Sequence, residues 1–285
     1  MAGRLAPTPS GHLHLGNVLA FGAAWLSARS AGKRLLYRLE DIDRGRAREE
    51  IARAQRDELR WLGVAWDEET VPQSQRSYDL SAVPTFRCTC SRNERKAGTC
   101  ICRTAHQAGS PKTGGVLRFL GQREPVDFDD RARGPQTFEP EEDPVLQRAN
   151  GEVAYPVAVV LDDLRDGVTE VVRGADLLEA TAVQLQIHEA LGESPPSYLH
   201  NPVLLGPDGW KLSKSFGSLE VRALREGGWQ PEEFWRRLLP MLGCEGCETL
   251  GDALPLFDPT RIPPGPFATD EAGDIVTDEN EGEKT

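Results

Sequence analysis

Two histidines near the start of the chain, His12 and His14, stand in a bend rich in proline and glycine. The bend follows the predicted strand "RLAP" and precedes a predicted helix from Gly16 to Ser30. The first turn of a helix has unpaired backbone N–H groups, which together with the helix dipole attract phosphate. A histidine there can donate to a phosphate oxygen, and Gly16 lets a flat base lie against the backbone. The bend therefore indicates a nucleotide site, with an ordinary polar helix cap as the alternative.

Two lysines, Lys211 and Lys214, lie three residues apart in "KLSKS", after a predicted strand and a Pro-Asp-Gly turn. Lysines on such a loop can neutralise the charge that grows on a triphosphate as it is attacked. Taken alone, the stretch also suits a solvated basic loop. Because it closes the α/β region that the histidine bend opens, the two stretches together favour a site that activates a nucleotide.

Four cysteines form two Cys-x-Cys pairs that are separated by nine residues: Cys88, Cys90, Cys100 and Cys102. Four thiolates are enough for a closed tetrahedral zinc site. The spacing within each pair is shorter than the usual two to four residues, so spacing alone leaves a zinc site and a metal-free cluster equally open.

Basic residues surround this cluster, with Glu94 as the single acid among them: Arg87, Arg92, Arg95, Lys96 and Arg103. Such a segment can present a basic face to RNA phosphates, or it can be a solvated charged loop. The other two cysteines, Cys244 and Cys247, have no obvious second pair, and we interpret them as buried or incidental thiols.

The composition suits a soluble protein with a sizeable core, since 39% of the 285 residues are hydrophobic. The longest nearly apolar stretch, from Val18 to Ala28, is far short of the ~20 residues that span a membrane. Arg4, Pro7 and Pro9 interrupt the start, so we expect no secretory signal. We therefore expect a cytoplasmic monomer without membrane contact, with its cysteines reduced.

The net charge of −12 is unevenly distributed. Residues 241–285 carry eleven acidic and two basic side chains, which leaves a net charge of only −3 for the first 240 residues. The overall charge therefore does not exclude an RNA partner, because local patches matter more than the sum.

Alternating strand and helix signals predict an α/β protein with a parallel sheet. "KRLLYRLEDID" is predicted as a strand and is followed by a helix with an apolar stripe at Ile51, Leu59 and Leu62. Further on, "YPVAVVLDD" and "GVTEVVRG" are predicted as strands around a turn at Asp166-Gly167, and residues 175–191 as a helix.

The chain divides into five predicted segments. Residues 1–80 and 148–215 form the two halves of the α/β domain, and residues 81–147 form an insertion that contains the four cysteines. A short C-terminal region covers residues 216–267. The last segment, residues 268–285, is acidic and is predicted to be disordered.

Several motifs resemble those of class I aminoacyl-tRNA synthetases. "HLGN" at residues 14–17 resembles their HIGH motif, and "KLSKS" at residues 211–215 resembles their KMSKS motif. "RLAPTPSGHLHLGN", "YRLEDID", "AYPVAVVLDD" and "VTEVVRGADLL" are similar to glutamyl-type synthetases over residues 4–215. The resemblance implies a Rossmann-type catalytic domain with an inserted zinc-binding, acceptor-type module and a short C-terminal helical region.

The resemblance is to the short paralogues within this group. Full-length glutamyl and glutaminyl enzymes carry a large anticodon-binding region after KMSKS, for which the 70 residues here are too few. The short family is the glutamyl-Q tRNA(Asp) synthetases, which join glutamate to the queuosine base in the anticodon of tRNA(Asp). The implied partners are therefore ATP with Mg²⁺, L-glutamate and tRNA(Asp) containing queuosine.

The resemblance also implies the roles of individual residues. The glutamate site would comprise Arg4, Leu5, Ala6, Pro7, Thr8, Glu40, Tyr155 and Arg173. Its two arginines suit a bidentate grip on a carboxylate, Glu40 would hold the α-ammonium and Tyr155 would hydrogen-bond the amino acid. Without the resemblance, core packing would account for Tyr155, a surface ion pair for Arg173, and a pair with Arg38 or Arg44 for Glu40.

The implied chemistry is attack of the glutamate carboxylate on the α-phosphate of ATP, which needs no protein nucleophile. ATP would be bound by His14, Gly16, Asn17, Lys211 and Lys214. Alignment and charge stabilisation would come from His12, His14, Lys214, the helix start and Mg²⁺.

The family has a zinc site at the cysteine cluster, with one departure here. Its pattern often has a tyrosine four residues before the last cysteine, where this chain has Gly98. Cys100 is the expected replacement, with His106 as the weaker candidate.

Three other functions remain possible from the sequence. A truncated conventional glutamyl-tRNA synthetase would share every motif. A nucleotidyltransferase of related architecture would leave the cysteines and the glutamate-site residues unexplained. A non-catalytic RNA-binding relative would be expected to lose one of the charged motifs, all of which are present.

Overall fold

The structure is a computed structural model that describes residues 1–91, 100–110, 113–140, 142–212 and 219–276. The first strand β1, the helix α1 and the second strand β2 follow the predicted order. Their bounds are Ala2–Leu5, Leu15–Ser30 and Arg34–Tyr37. β1 and β2 pair in parallel, which confirms the predicted parallel arrangement, although β2 ends earlier than "KRLLYRLEDID" suggested.

The first half of the chain continues with α2 and two short strands. α2 spans Glu49–Trp61, β3 Glu68–Glu69, and β4 Thr85–Cys88. Glutamates in the first turn of α2 and Arg60 in its last turn complement the helix dipole. β3 adds to β2 in parallel, so the first sheet has the order β1-β2-β3.

The middle of the chain divides between two sheets. The helix α3 spans Ile101–Gln107, and four strands follow: β5 Val116–Phe119, β6 Val126–Asp130, β7 Gly134–Phe138 and β8 Val145–Gln147. β4, β5 and β8 form an antiparallel sheet, in which β4 ends at Cys88, whereas β6 and β7 pair with each other in a different sheet. The segment predicted as an insertion, residues 81–147, therefore contributes strands to two sheets.

The second half of the α/β region contains α4 Tyr155–Asp166, β9 Glu170–Gly174, α5 Ala180–Leu191, β10 Ser197–Asn201 and β11 Leu204–Leu205. β10 lies between β9 and β6 and is parallel to both. The backbone N–H of Thr169 donates to the carbonyl of Ala2 at 2.9 Å, which joins the edges of the two parallel sheets.

The strand predicted for "YPVAVVLDD" is wrong, because these residues form α4. Pro156 occupies the first turn, where a missing N–H costs nothing, and Gly167 ends the helix in the left-handed region with φ +67°. The β-branched run favours a strand, but residues 157–160 are all buried, and the three valines among them pack against Phe119, Leu146 and Ile187.

The C-terminal part contains three short helices and two strands. These are α6 Val221–Glu226, α7 Pro231–Leu238, α8 Leu250–Ala253, β12 Phe267–Thr269 and β13 Ile275–Val276. Trp235 of α7 is buried against α1, where it lies over Gly22, and its indole N–H donates to the carbonyl of Leu62 at 2.8 Å.

The disorder predicted from residue 268 onward is wrong for residues 268–276. β12 pairs with β11 and β13 returns antiparallel to β12, so this segment belongs to a small sheet. The rest of the predicted tail, 277–285, lies outside the described residues. Along the part of the chain that the structure describes, every helix is too short or too polar to cross a membrane.

Candidate active site

A cavity of about 310 Å³ lies at the carboxyl ends of β1, β9 and β10. In parallel α/β sheets this edge is the usual place for a ligand. Ten of the predicted site residues line the cavity: Arg4, Ala6, Thr8, His14, Gly16, Asn17, Glu40, Tyr155, Arg173 and Lys211. Leu5, Pro7 and His12 are not in the lining, and Lys214 lies outside the described residues.

The histidine bend forms one wall of the cavity. The backbone N–H of His14 donates to Asn17 Oδ1 at 3.1 Å, which fixes the start of α1. A Cβ at Gly16 would lie 3.2 Å from the imidazole of His14, so glycine keeps this surface open. His12 faces α2 instead, with its Nδ1 3.4 Å from Glu58 Oε1. The bend therefore offers His14 and the helix start, rather than His12, to the cavity.

A buried ion cluster forms the floor under Arg4 and Glu40. Asp163 Oδ1 lies 2.7 Å from Arg38 Nη2 and 3.4 Å from Arg4 Nε. Arg38 also contacts Glu40 Oε1 at 3.2 Å and Asp166 Oδ2 at 3.1 Å. Burial raises the pKa of Glu40, against the lowering effect of its arginine neighbours. The pair with Arg38 that the sequence left open is present, and Glu40 nevertheless faces the cavity.

Arg173 lies in the cavity wall, but most of its guanidinium donates into the protein. Nε donates to His200 Nε2 at 3.0 Å, and Nη1 donates to Gln184 Oε1 at 2.8 Å. Nη2 donates to the Leu177 carbonyl at 3.2 Å and to Thr181 Oγ1 at 2.8 Å. Arg173 is thus a fixed positive charge rather than the partner in a surface ion pair.

A histidine–aspartate pair stands behind Arg173. His200 Nδ1 lies 2.7 Å from Asp130 Oδ2, and both side chains are buried. Burial lowers the pKa of His200 despite the neighbouring carboxylate. Because Nε2 accepts from Arg173, the proton is on Nδ1 and is donated to Asp130.

The sequence reasoning missed the residues that hold the two arginines: Asp130, Asp163, Gln184 and His200. Two of them stand in stretches that the motifs contain or adjoin, "VVLDD" and "YLHN". Nothing in those stretches says which arginine they contact, because the contacts join residues far apart in the chain.

At the mouth of the cavity, Lys211 Nζ contacts Asp176 Oδ2. A hydrogen bond from the Gly206 N–H to the Trp210 carbonyl, 2.7 Å long, closes the turn that leads to Lys211. This turn places the start of "KLSKS" beside the helix start of α1. Ser213 to Ser215, the rest of the motif, lie outside the described residues.

The four cysteines of the middle sheet gather at one point. Cys88 Sγ is 3.7 Å from Cys100 Sγ, Cys90 Sγ is 3.5 Å from Cys102 Sγ, and Cys90 is 3.9 Å from Cys100. With zinc–sulfur bonds near 2.3 Å, the sulfur atoms of a tetrahedral site are about 3.8 Å apart. Cys88, Cys90 and Cys100 lie mutually within 4.8 Å, and Cys102 joins them through Cys90. Three of the thiols are therefore close enough together to hold a metal ion, with Cys102 adjacent as the fourth candidate ligand.

The described neighbourhood of the cluster includes a tight backbone contact at Gly115 and two of the five basic residues. Gly115 has φ +73°, and a Cβ there would come 2.3 Å from the carbonyl oxygen of Cys88. Arg103 pairs with Asp143 at 2.5 Å, while Arg87 is exposed. Arg92, Arg95 and Lys96 lie outside the described residues, as does Gly98.

The C-terminal cysteines, Cys244 and Cys247, are buried free thiols, as the sequence predicted. Neither belongs to a group of three potential metal ligands among the described residues.

Comparisons with known proteins give one family. A family model described as "tRNA synthetases class I (E and Q), catalytic domain" matches residues 1–85 and 87–246. The glutamyl-Q tRNA(Asp) synthetase of Nitratidesulfovibrio vulgaris is 41% identical over 79% of this chain and 81% of its own length. The enzyme of that name from Symbiobacterium thermophilum is 37% identical over 93% of this chain and 95% of its own.

Two solved structures share the fold. A glutamate tRNA ligase from Elizabethkingia meningosepticum, in complex with its amino acid, superposes with a TM-score of 0.74 at 21% identity. The glutamate-tRNA synthetase of Elizabethkingia anophelis gives 0.74 at 22% identity. This chain covers 66% and 68% of those two chains, and they cover 94% and 98% of it.

Proposed function

Because the chain belongs to the glutamyl-Q tRNA(Asp) synthetase family of class I tRNA synthetases, we propose that it activates L-glutamate with ATP and transfers it to queuosine in tRNA(Asp). The observation that carries this proposal is the cavity, in which a helix N-terminus, two arginines and the carboxylate of Glu40 meet at the carboxyl edge of the sheet. The helix start suits the phosphates of ATP, and the charged groups suit the two ends of an amino acid.

In the first step, a carboxylate oxygen of glutamate attacks the α-phosphorus of ATP. The bond to the bridging oxygen breaks, and pyrophosphate leaves. Arg4 and Arg173 would hold the side-chain carboxylate of glutamate, and Glu40 would hold its α-ammonium group. Tyr155 would form a hydrogen bond with the bound amino acid. His14, Gly16, Asn17 and the lysines of "KLSKS" would hold ATP and neutralise the developing charge.

In the second step, a hydroxyl of the queuosine cyclopentenediol attacks the carbonyl carbon of the adenylate. An ester forms, AMP leaves, and the hydroxyl proton is released. Mg²⁺ would neutralise the phosphates of ATP. Both carboxylates in the cavity lining, Glu40 and Asp176, are already paired with Arg38 and Lys211, so the phosphates rather than the protein would hold this ion.

The acceptor prediction tests the proposal directly. We expect labelled glutamate to become attached to tRNA(Asp) that contains queuosine, and not to the same tRNA lacking it. Exchange between ATP and pyrophosphate should depend on glutamate, should need no RNA, and should not occur with glutamine or aspartate. Equal charging of unmodified tRNA(Glu) would identify a truncated conventional synthetase, and absence of glutamate-dependent exchange would favour a nucleotidyltransferase.

A structural zinc ion is part of the proposal, held by Cys88, Cys90, Cys100 and Cys102. Elemental analysis should find about one zinc per chain, and Cys88→Ser should lose it and loosen the sheet β4-β5-β8. Cys247→Ser, which changes a buried thiol elsewhere, should keep the metal. Full occupancy in the double variant Cys100→Ser, Cys102→Ser would rule out this ligand set. Glutamate-dependent exchange should largely survive zinc loss, because the cluster is outside the cavity lining.

A further inference from the structure

A second cavity of about 620 Å³ adjoins the first, and Tyr155 and Leu177 line both. It lies between the end of β7, the start of α4 and the start of α5. Phe138 and Val183 supply part of an apolar wall. A molecule in this second cavity would therefore lie directly beside an amino acid in the first one.

Three glutamates surround the second cavity: Glu139, Glu142 and Glu179. All three are exposed, and within the described residues none of them makes an ion pair. Glu179 precedes α5 and also complements the dipole of that helix. Together the three place negative charge around the mouth of the cavity.

An independent sign of a ligand is Gln184, which lines the second cavity and is 3% exposed. Its Oε1 accepts from Arg173 Nη1 at 2.8 Å. A guanidinium can only donate, so this contact fixes which end of the amide is oxygen. The remaining amide nitrogen, Nε2, is buried and has no acceptor among the described residues. A buried donor without an acceptor is costly, and a bound acceptor would remove that cost.

We propose that the second cavity binds the queuosine base, with the three glutamates facing its cationic secondary amine. This rests on the proposed function. The amine links the deazaguanine ring to the cyclopentenediol, so the diol would point past Tyr155 and Leu177 toward the adenylate. Base edges carry acceptors for the Gln184 amide, and the apolar wall suits the flat ring of a splayed-out nucleotide.

The charge of the cavity supports this occupant over other parts of an RNA. Carboxylates repel phosphates and have only hydrogen bonds, without charge attraction, to offer neutral bases, whereas a protonated amine near three carboxylates is attracted by all of them. An acidic wall beside an RNA-modifying site therefore disfavours unmodified nucleotides and favours the rare base that carries a positive charge.

The test is the triple variant Glu139→Gln, Glu142→Gln, Glu179→Gln. We expect the KM for queuosine-containing tRNA(Asp) to rise roughly tenfold or more, through the loss of three charge-assisted contacts. Binding of tRNA(Asp) lacking queuosine should be unchanged or tighter, because three charges that repel phosphate are gone. Glutamate-dependent exchange without RNA should be retained, which also shows that the variant folds.

A charge-matched control is Glu189→Gln, Glu193→Gln, Glu232→Gln, in which the changed residues are exposed and line neither cavity. This control should change the affinity for both RNAs in the same direction. The inference is overturned if the cavity variant leaves the KM for queuosine-containing tRNA(Asp) unchanged. It is also overturned if the variant changes the affinity for both RNAs to the same extent. If the triple variant loses exchange, the single variant Glu142→Gln is to be compared instead.

Failure of the inference is distinguishable from failure of the proposed function. A wild-type protein that does not accept queuosine-containing tRNA fails the proposed function. A wild type that accepts it, with a variant that accepts it equally, fails only the inference. Queuosine nucleoside provides a measurement without RNA, because its binding should weaken in the cavity variant and not in the control; equal binding by the two would contradict the inference.

Discussion

Replacing Lys214 with alanine should lower the rate of glutamate-dependent ATP–pyrophosphate exchange by roughly a hundredfold or more, the usual loss when a group that stabilises transition-state charge is removed. Lys211, three residues earlier, lies at the mouth of the cavity and contacts Asp176, so the loop that carries Lys214 begins beside the α1 helix start. Lys214 itself lies outside the described residues, and its role is the one that the resemblance of "KLSKS" to the synthetase motif implies.

The kinetic pattern separates this role from simple binding. A group that acts only in the transition state lowers kcat and kcat/KM together, whereas one that binds ATP uniformly raises the KM for ATP. Lys112→Ala, a lysine outside every motif, is the matched control and should exchange at the wild-type rate. A Lys214→Ala protein with normal kcat would contradict the assignment of this lysine to catalysis.

The local order of the active site could be predicted from sequence because its signals are local. The bend before α1 carries its own helix-start pattern, and the residues around it contact one another within a few positions, as His14 and Asn17 do. The same holds for the cysteine cluster, in which the members of each pair are two positions apart and the two pairs meet where the end of β4 approaches the start of α3.

The helix α4 was predicted as a strand because its signals conflict. Val157, Val159 and Val160 favour a strand, whereas Pro156 in the first turn and Gly167 after the end favour a helix. Tertiary packing favours the helix, because the valines are buried in a cluster with Phe119 and Ile187. No local sequence pattern reveals these contacts.

The partners of the charged residues could not be predicted because they join distant parts of the chain. Arg173 is held by His200, which is 27 positions away, and Asp130 holds His200 across 70 positions. The sequence therefore predicted many of the side chains that face the cavity, but not the buried residues that hold them in place. The acidic composition of residues 268–276 predicted disorder for a similar reason, because the sequence does not reveal their pairing with β11.

A second large effect, on the stability of the fold, is expected at Asp163, whose buried contacts the sequence did not reveal. Replacing Asp163 with asparagine keeps the size of the side chain and removes its charge. Arg38, which is fully buried, would lose a carboxylate at 2.7 Å, and Arg4 would lose one at 3.4 Å. Removing one partner from a buried ion pair typically costs about 3 to 5 kcal/mol, and because Glu40 and Asp166 would still contact Arg38, we expect the lower end of that range.

We therefore expect Asp163→Asn to lower the midpoint of urea unfolding markedly, followed by the fluorescence of the six tryptophans. The exposed carboxylate Asp57, 3.9 Å from Arg60, is the matched control, and Asp57→Asn should change the free energy of unfolding by less than about 1 kcal/mol.

Under conditions where Asp163→Asn is still folded, its KM for glutamate in the exchange reaction should rise roughly tenfold or more, while the KM for ATP changes little. The reason is that Arg4 and Glu40 both depend on the cluster for their positions, whereas the helix start that would hold ATP does not. A variant with the wild-type unfolding midpoint and an unchanged KM for glutamate would show that the cluster neither stabilises the fold nor positions the amino-acid site.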